Sequence, residues 1–422
     1  MYQKTVLNNG LRVVTSNMPH VRSVSICIFI GAGSRYESAQ NAGISHFVEH
    51  LLFKGTQRRP DAKDISEAIE GIGGVINGGT DKEMTVYWAK VARPHFEVAL
   101  DVLGDMISSP RFDLAEVEKE RQVIIEEINM SMDSPQQRVG LLIDEAVWPD
   151  QTLGWDVAGS KETVSAMTRQ MLVDYHARQY IPGGTVVSVA GNVSHDEVVK
   201  CAAGIFGDLV NGAPAPWFPA QDNQEEPRYL AECRETEQVH LCLALRGISS
   251  AHPDCFAFDL LNVVLGGGMS TRLFMELRER RGLVYDIHSY VNHFMDSGSL
   301  IVYAGVEPKN VEAAIEVILA ELSNLKAKTI SADELIKAKE MAKGRLLLSM
   351  EDSRSVSGWL GNQELLREEI KTIDEMVAIV DAITADDMRR VAQDWFHTKG
   401  LSLAIVGPAF DEGRIRRLLS LP

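Results

Sequence analysis

Gly212-Ala213-Pro214-Ala215-Pro216-Trp217-Phe218-Pro219 divides this sequence, and the division decides how the rest is read. Three prolines within six residues cannot sustain a helix or a central strand, because each lacks an amide hydrogen and fixes its own backbone angle. The polar run from Gln221 to Pro227 prolongs the break. The stretch reads as a linker, residues 212–228, between nearly equal halves, 1–211 and 229–422. A chain of 422 residues exceeds one ordinary core. At about 150 residues per domain it holds roughly two or three units.

Outward from the linker the halves echo each other. The first opens with Met1–Leu7, the turn Asn8-Asn9-Gly10 and an extended run Leu11–Thr15, the pattern of a hairpin. A strand over Ser23–Ile30 follows, then a helix holding His46 to Phe53, and last a strand over Thr185–Ala190 just before Gly191. The second half runs from a strand over Val239–Leu245 to a helix over Cys255–Leu265 and a closing strand over Leu401–Val406 just before Gly407. A polar turn and a helix, Asp196–Ile205 or Asp411–Leu419, follow each closing strand. Helical periodicity fills Asp113–Met130, Val311–Lys326 and Ala332–Met350, and Thr85–Val91 alternates as a strand. The chain therefore reads as α+β: two tandem homologous domains, each a mainly antiparallel sheet packed with helices.

Composition is that of a globular protein, 45% hydrophobic and 24% charged with mean hydropathy −0.07. The longest apolar runs, such as Val24–Ile30, fall far short of the roughly 20 residues of a membrane span. The start carries neither a secretory nor an Arg-rich leader pattern, so a cytoplasmic location is expected. Five cysteines (Cys27, Cys201, Cys233, Cys242, Cys255) without a C-x-x-C pair read as reduced, mostly structural thiols. The net charge of −17 argues against nucleic acid and anionic membranes as partners.

The chemistry lies in His46-Phe47-Val48-Glu49-His50. On a helix, residues four apart point the same way, so both imidazoles can reach one metal ion, and Glu49 faces the same side. Ile44, Phe47, Val48, Leu51, Leu52 and Phe53 make the rest of this helix apolar. Two imidazoles and a carboxylate converging beside such residues need a partner, and Zn²⁺ is the simplest one. A catalytic zinc keeps three protein ligands. The sequence alone does not choose the third among Glu116, Glu118, Glu120, Glu126 and Glu127.

H-x-x-E-H inverts the commoner H-E-x-x-H and is the inverzincin arrangement. On it, and on Glu120-Arg121-Gln122-Val123-Ile124-Ile125-Glu126-Glu127, whose last glutamate is separated from His50 by 76 residues, the chain resembles the pitrilysin family. That family includes insulin-degrading enzyme and mitochondrial processing peptidase. The resemblance spans Gly10 to about Val406. It implies a processing-peptidase-like fold and Glu127 as third zinc ligand beside His46 and His50. It also implies Glu49 as the base that assists attack by a zinc-activated water, with Glu120 in support. Gly73–Thr80 followed by Thr85–Trp88 looks like the family's edge strand, where substrate peptide adds as a further strand. There Asn77 either binds substrate backbone or holds a turn, and Gly78 admits a close backbone. In the second half, Arg278 and Tyr285 of Arg278-Glu279-Arg280-Arg281-Gly282-Leu283-Val284-Tyr285 resemble the family's substrate-binding, oxyanion-stabilising pair. The implied activity is that of a zinc metalloendopeptidase acting on peptides or unfolded segments in an enclosed chamber. A homodimer is expected, a heterodimer being the variant. The alternative is a non-catalytic structural or partner subunit of a processing-peptidase-like complex, against which the intact His46, Glu49, His50 and Glu127 speak.

Overall fold

A computed structural model describes residues 2–367, 369–408 and 410–421. The strands expected from the sequence are present with ends within two residues of their expected limits, and helix Cys255–Leu265 coincides with its expected span. The hairpin forms as read: β1 (Gln3–Val6) pairs antiparallel with β2 (Arg12–Asn17). Gly10 sits in the turn at φ 90°, a backbone region that costs glycine little.

The first unit comprises Met1–Asn129, Asp156–Phe218 and Leu347–Thr372. Its sheet adds β3 (Ser23–Ile30), β4 (Val75–Thr80), β5 (Thr85–Ala92) and β6 (Thr185–Gly191) in the order β1-β2-β6-β3-β5-β4. Only β2 and β6 run parallel. β3 is almost wholly buried on both faces, which is why it reads as an unbroken apolar run. Helices Phe96–Ser108 and His195–Phe206 cover one face, and helix Ser353–Leu366 covers the other. On that second face Val14, Phe29 and Val186 meet Val356 and Leu360. Ser188 and Ser357 exchange hydroxyl-to-carbonyl hydrogen bonds of 2.7 and 2.9 Å, which fixes the helix along the sheet.

The second unit comprises Met130–Trp155, Pro219–Leu346 and Ile373–Pro422. Its sheet holds β7 (Arg228–Cys233), β8 (Val239–Gly247), β9 (Val284–His293), β10 (Gly298–Val306) and β11 (Leu401–Gly407) in the order β7-β11-β8-β10-β9. Here β7 and β11 are the parallel pair. Matching β2, β6, β3, β5 and β4 to β7, β11, β8, β10 and β9 superposes order and direction, so the expected duplication is present. Helix Pro135–Val147 lies on this sheet through Val139, Leu142, Ile143 and Trp148. Arg228 and Arg246 donate to its last carbonyls, at Ala146 and Val147.

The changeover at Phe218 and Pro219 falls inside the linker read at 212–228. The units nevertheless depart from the sequence halves at two segments. Met130–Trp155 belongs with the second unit, and Leu347–Thr372 with the first. Each half of the chain thus contributes a helix that packs on the sheet built by the other half.

Candidate metal centre

Helix Ile44–Leu52 has no Ser, Thr, Asp or Asn at its N-cap. Its N-cap is Gly43 at φ 93°, where a Cβ would come within 2.6 Å of the Ala158 carbonyl oxygen. The capping acceptor comes from further back in the chain. The Glu37 carboxylate accepts from the amides of Gly43 at 2.7 Å and Ser45 at 2.8 Å. A buried carboxylate at a helix N-terminus meets both the unpaired amides and the positive end of the dipole. The helix then buries Ile44, Phe47, Val48, Leu51 and Leu52. The remaining face presents His46, Glu49 and His50.

The partner helix Leu114–Asp133 buries Val117, Glu120, Arg121, Ile124 and Ile128, a stripe at helical spacing. That stripe turns Glu120 and Glu127 toward the histidines and leaves Glu126 exposed. Glu127 Oε2 lies 3.8 Å from His46 Nε2 and 3.6 Å from His50 Nε2. Donor atoms of these three residues all fall within 4.8 Å of one another. Such separations are too long for hydrogen bonds. Zn–N bonds of about 2.0–2.1 Å in a tetrahedron set neighbouring donors about 3.4 Å apart. The donor set and its spacing fit a zinc ion.

Glu120 is only 2% exposed, and its Oε2 stands 3.1 Å from His50 Nδ1. An ionised carboxylate can only accept, so Nδ1 carries a hydrogen and Nε2 is the nitrogen turned toward Glu127; burial lowers the His50 pKa, but Glu120, Glu127 and Glu49 outweigh it and raise it. Lys54 Nζ, 2.9 Å from Glu120 Oε1, balances the charge. Burial pushes the Glu120 pKa up, but the hydrogen bonds from His50 and Lys54 outweigh it and hold the carboxyl below the usual range. Burial and the neighbouring His50 take His46 down to about 4, so it is neutral at pH 7 and available as a donor.

Glu49 meets a different environment. Burial lifts its carboxyl above the ordinary carboxylate range against the pull of His50. The hydroxyl of Thr80, at the end of edge strand β4, donates to Glu49 Oε2 at 3.0 Å. A Cβ on Gly78 of the same strand would lie 3.1 Å from Glu49 Oε1 and 3.0 Å from Phe53 Cε2. Backbone alone therefore approaches the carboxylate there. Asn77 is exposed and its Oδ1 accepts from the Gly78 amide at 2.8 Å. The first unit thus brings together six of the candidate residues: His46, Glu49, His50, Glu120, Glu127 and Gly78. The sequence reading assigned no role to Thr80, Lys54 or Glu37. Thr80 ends the edge-strand stretch Gly73–Thr80, yet only the fold shows what these side chains meet.

Arg278 and Tyr285 belong to the second unit. Arg278 lies in the short π-helix Phe274–Arg280, with its guanidinium 5.0 Å from the Phe274 ring centre and 5.9 Å from that of Tyr285. Tyr285 stands on edge strand β9 and is 73% exposed. The two expected donors are therefore neighbours.

Fold and site define a class: a duplicated α+β protein with a two-histidine, one-glutamate donor cluster on one unit. Residues 12–161 match the insulinase (peptidase family M16) description, and residues 166–342 match the peptidase M16 inactive domain. An uncharacterized zinc protease of Bacillus subtilis is 38% identical over 97% of this chain and 99% of its own. One from Mycobacterium leprae is 38% identical over 99% of this chain and 94% of its own. The chain belongs to peptidase family M16. The crystal structure of a protease from Helicobacter pylori shares the fold, with a TM-score of 0.93 at 24% identity, covering 97% of this chain and 99% of that one. Among the described residues, no helix is long and apolar enough to cross a membrane.

Proposed function

We propose that the chain is a zinc metalloendopeptidase that hydrolyses peptides or unfolded segments. The observation that carries this reading is the convergence of His46 Nε2, His50 Nε2 and Glu127 Oε2 beside the Glu49 carboxylate. His46, His50 and Glu127 would hold the ion. When bound, Zn²⁺ supplies Lewis acidity, polarising a carbonyl and acidifying water. Every other part belongs to the side chains. Glu120 keeps the His50 hydrogen on Nδ1 and so keeps Nε2 available. Glu49, lifted by burial and oriented by Thr80, takes a proton from the attacking water and passes it to the leaving amine. Edge strand β4 offers unpaired backbone groups to an extended substrate, with Gly78 admitting it beside Glu49. On the family resemblance, Arg278 and Tyr285 bind substrate carbonyls and the developing oxyanion, and the active species is a homodimer.

Zinc content and cleavage of a quenched-fluorescence peptide set, measured together, test this. Wild type should bind zinc and cleave. Glu49→Gln should bind as much zinc and lose cleavage by about 100-fold or more. Equal zinc in both with no cleavage by either would give the chain to the non-catalytic subunit reading. Equal lack of zinc in wild type and His50→Ala would remove the centre itself.

A further inference from the structure

Because the fold is duplicated, helix Cys255–Leu265 holds in the second unit the place that helix Ile44–Leu52 holds in the first. Each follows the central strand, β8 or β3, and precedes the edge strand, β9 or β4. Cys255 and Asp259 stand on this second helix at the same four-residue spacing as His46 and His50. Both side chains leave one helix face. His293, the last residue of β9, meets them there. One donor atom from each of Cys255, Asp259 and His293 lies within 4.8 Å of the others.

The imidazole is fixed by its surroundings. His293 Nδ1 is 2.8 Å from the Ile248 carbonyl oxygen, which can only accept, so Nδ1 carries a hydrogen. A backbone carbonyl on the far nitrogen is the usual support of a metal-binding histidine. Nε2 then faces Asp259 Oδ1 at 3.1 Å, with the Cys255 sulfur alongside. Two acidic groups and one imidazole nitrogen surround a point that calls for positive charge. A divalent ion placed there serves all three donors at once. Cys255 is buried at the first residue of the 11-residue helix, with its sulfur beside the other two donors. The Asp259 side chain is 46% exposed, which provides an entry path and room for a solvent ligand.

We propose that Cys255, Asp259 and His293 form a second metal site, taking a divalent transition ion of the zinc class through thiolate, carboxylate and imidazole. The thiolate selects zinc or cobalt over magnesium and calcium. The proposal does not rest on the peptidase reading, since the two centres share no residue.

Cobalt titration of the full-length protein tests it, because only a sulfur ligand gives a sulfur-to-cobalt charge-transfer band in the near ultraviolet. The background is the His46→Ala/His50→Ala variant, which lacks the first centre's histidines. The expected result is one cobalt per chain with that band. Cys255→Ser should abolish the band, and His293→Gln and Asp259→Asn should each reduce the cobalt bound. Circular dichroism confirms folding, and if Cys255→Ser does not fold, the other two variants decide. Absence of the band, its survival in Cys255→Ser, or unchanged cobalt binding in both His293→Gln and Asp259→Asn would overturn the proposal.

Discussion

Glu49 and Glu120 are chemically identical and stand beside the same histidine, and their neighbours give them different work. Glu120 sits between His50 Nδ1 and Lys54 Nζ, so it stays ionised and acts on the histidine. Glu49 has one hydroxyl donor and a buried position, so its carboxyl is lifted toward proton transfer. Two predictions belong at this scale. Glu120→Gln removes the charge that orders His50 and leaves Lys54 uncompensated. Zinc dissociation should become about 10- to 100-fold easier, read by competition with a chromophoric chelator. Unchanged affinity would mean that Glu120 has no hold on the ligand. Thr80→Val keeps the shape of the residue and deletes its hydrogen bond. It should lower kcat by about 10- to 100-fold with zinc content and KM little changed, and Thr80→Ser should recover most of the loss. A fall confined to KM would show that Thr80 serves substrate binding rather than the base.

Elements were legible in the sequence where a local pattern formed them. Ser23–Ile30 is apolar throughout because β3 is buried on both faces, and its limits are those expected. The helix bearing His46, Glu49 and His50 was equally plain from its apolar residues, and the shared face of the three side chains followed from spacing alone. The start of that helix was not legible. Its capping group is Glu37, six residues before Gly43, carried there by the turn Ser34–Tyr36. No local rule pairs a glutamate with a glycine at that distance. The same limit applied to Glu127, chosen among five glutamates by resemblance and not by physics. Only the stripe of Val117, Ile124 and Ile128 against the core decides which glutamates face the histidines. Glu37→Ala should leave two buried amides without acceptors and lower stability by at least about 2 kcal/mol. A drop in the urea midpoint of the zinc-free protein reads this directly. A midpoint equal to that of wild type would show that solvent or a rearranged turn caps the helix equally well.

At the scale of the whole chain, the duplication was legible in the sequence, while the exchange of helices stayed hidden. No helix is expected from the sequence reading over Pro135–Val147 or Ser353–Leu366, and even an apolar stripe carries no address, since either sheet offers an apolar face to receive it. The structure assigns each helix to the sheet that the other half of the chain builds. Gly361 lets helix Ser353–Leu366 lie close against Phe29, where any side chain would collide with the ring. Val14, Phe29, Val186, Val356 and Leu360 bury one another in that contact. At roughly 2 kcal/mol for each such side chain, their burial is on the order of 10 kcal/mol, comparable to the entire stability of an ordinary domain. The halves read from the sequence should therefore not fold independently. Residues 1–211 expressed alone should leave the Val14, Phe29 and Val186 face open, bind a hydrophobic dye and aggregate. Co-expression with residues 212–422 should return both pieces to the soluble fraction as one complex, because each then supplies the helix the other lacks. Gly361→Val in the intact chain should mimic the defect in part, lowering the midpoint of the first unit without touching a donor atom of either proposed metal site. A residue 1–211 fragment that is monomeric, dye-silent and cooperative in its unfolding would show that the exchanged helix is an ornament on a self-sufficient sheet.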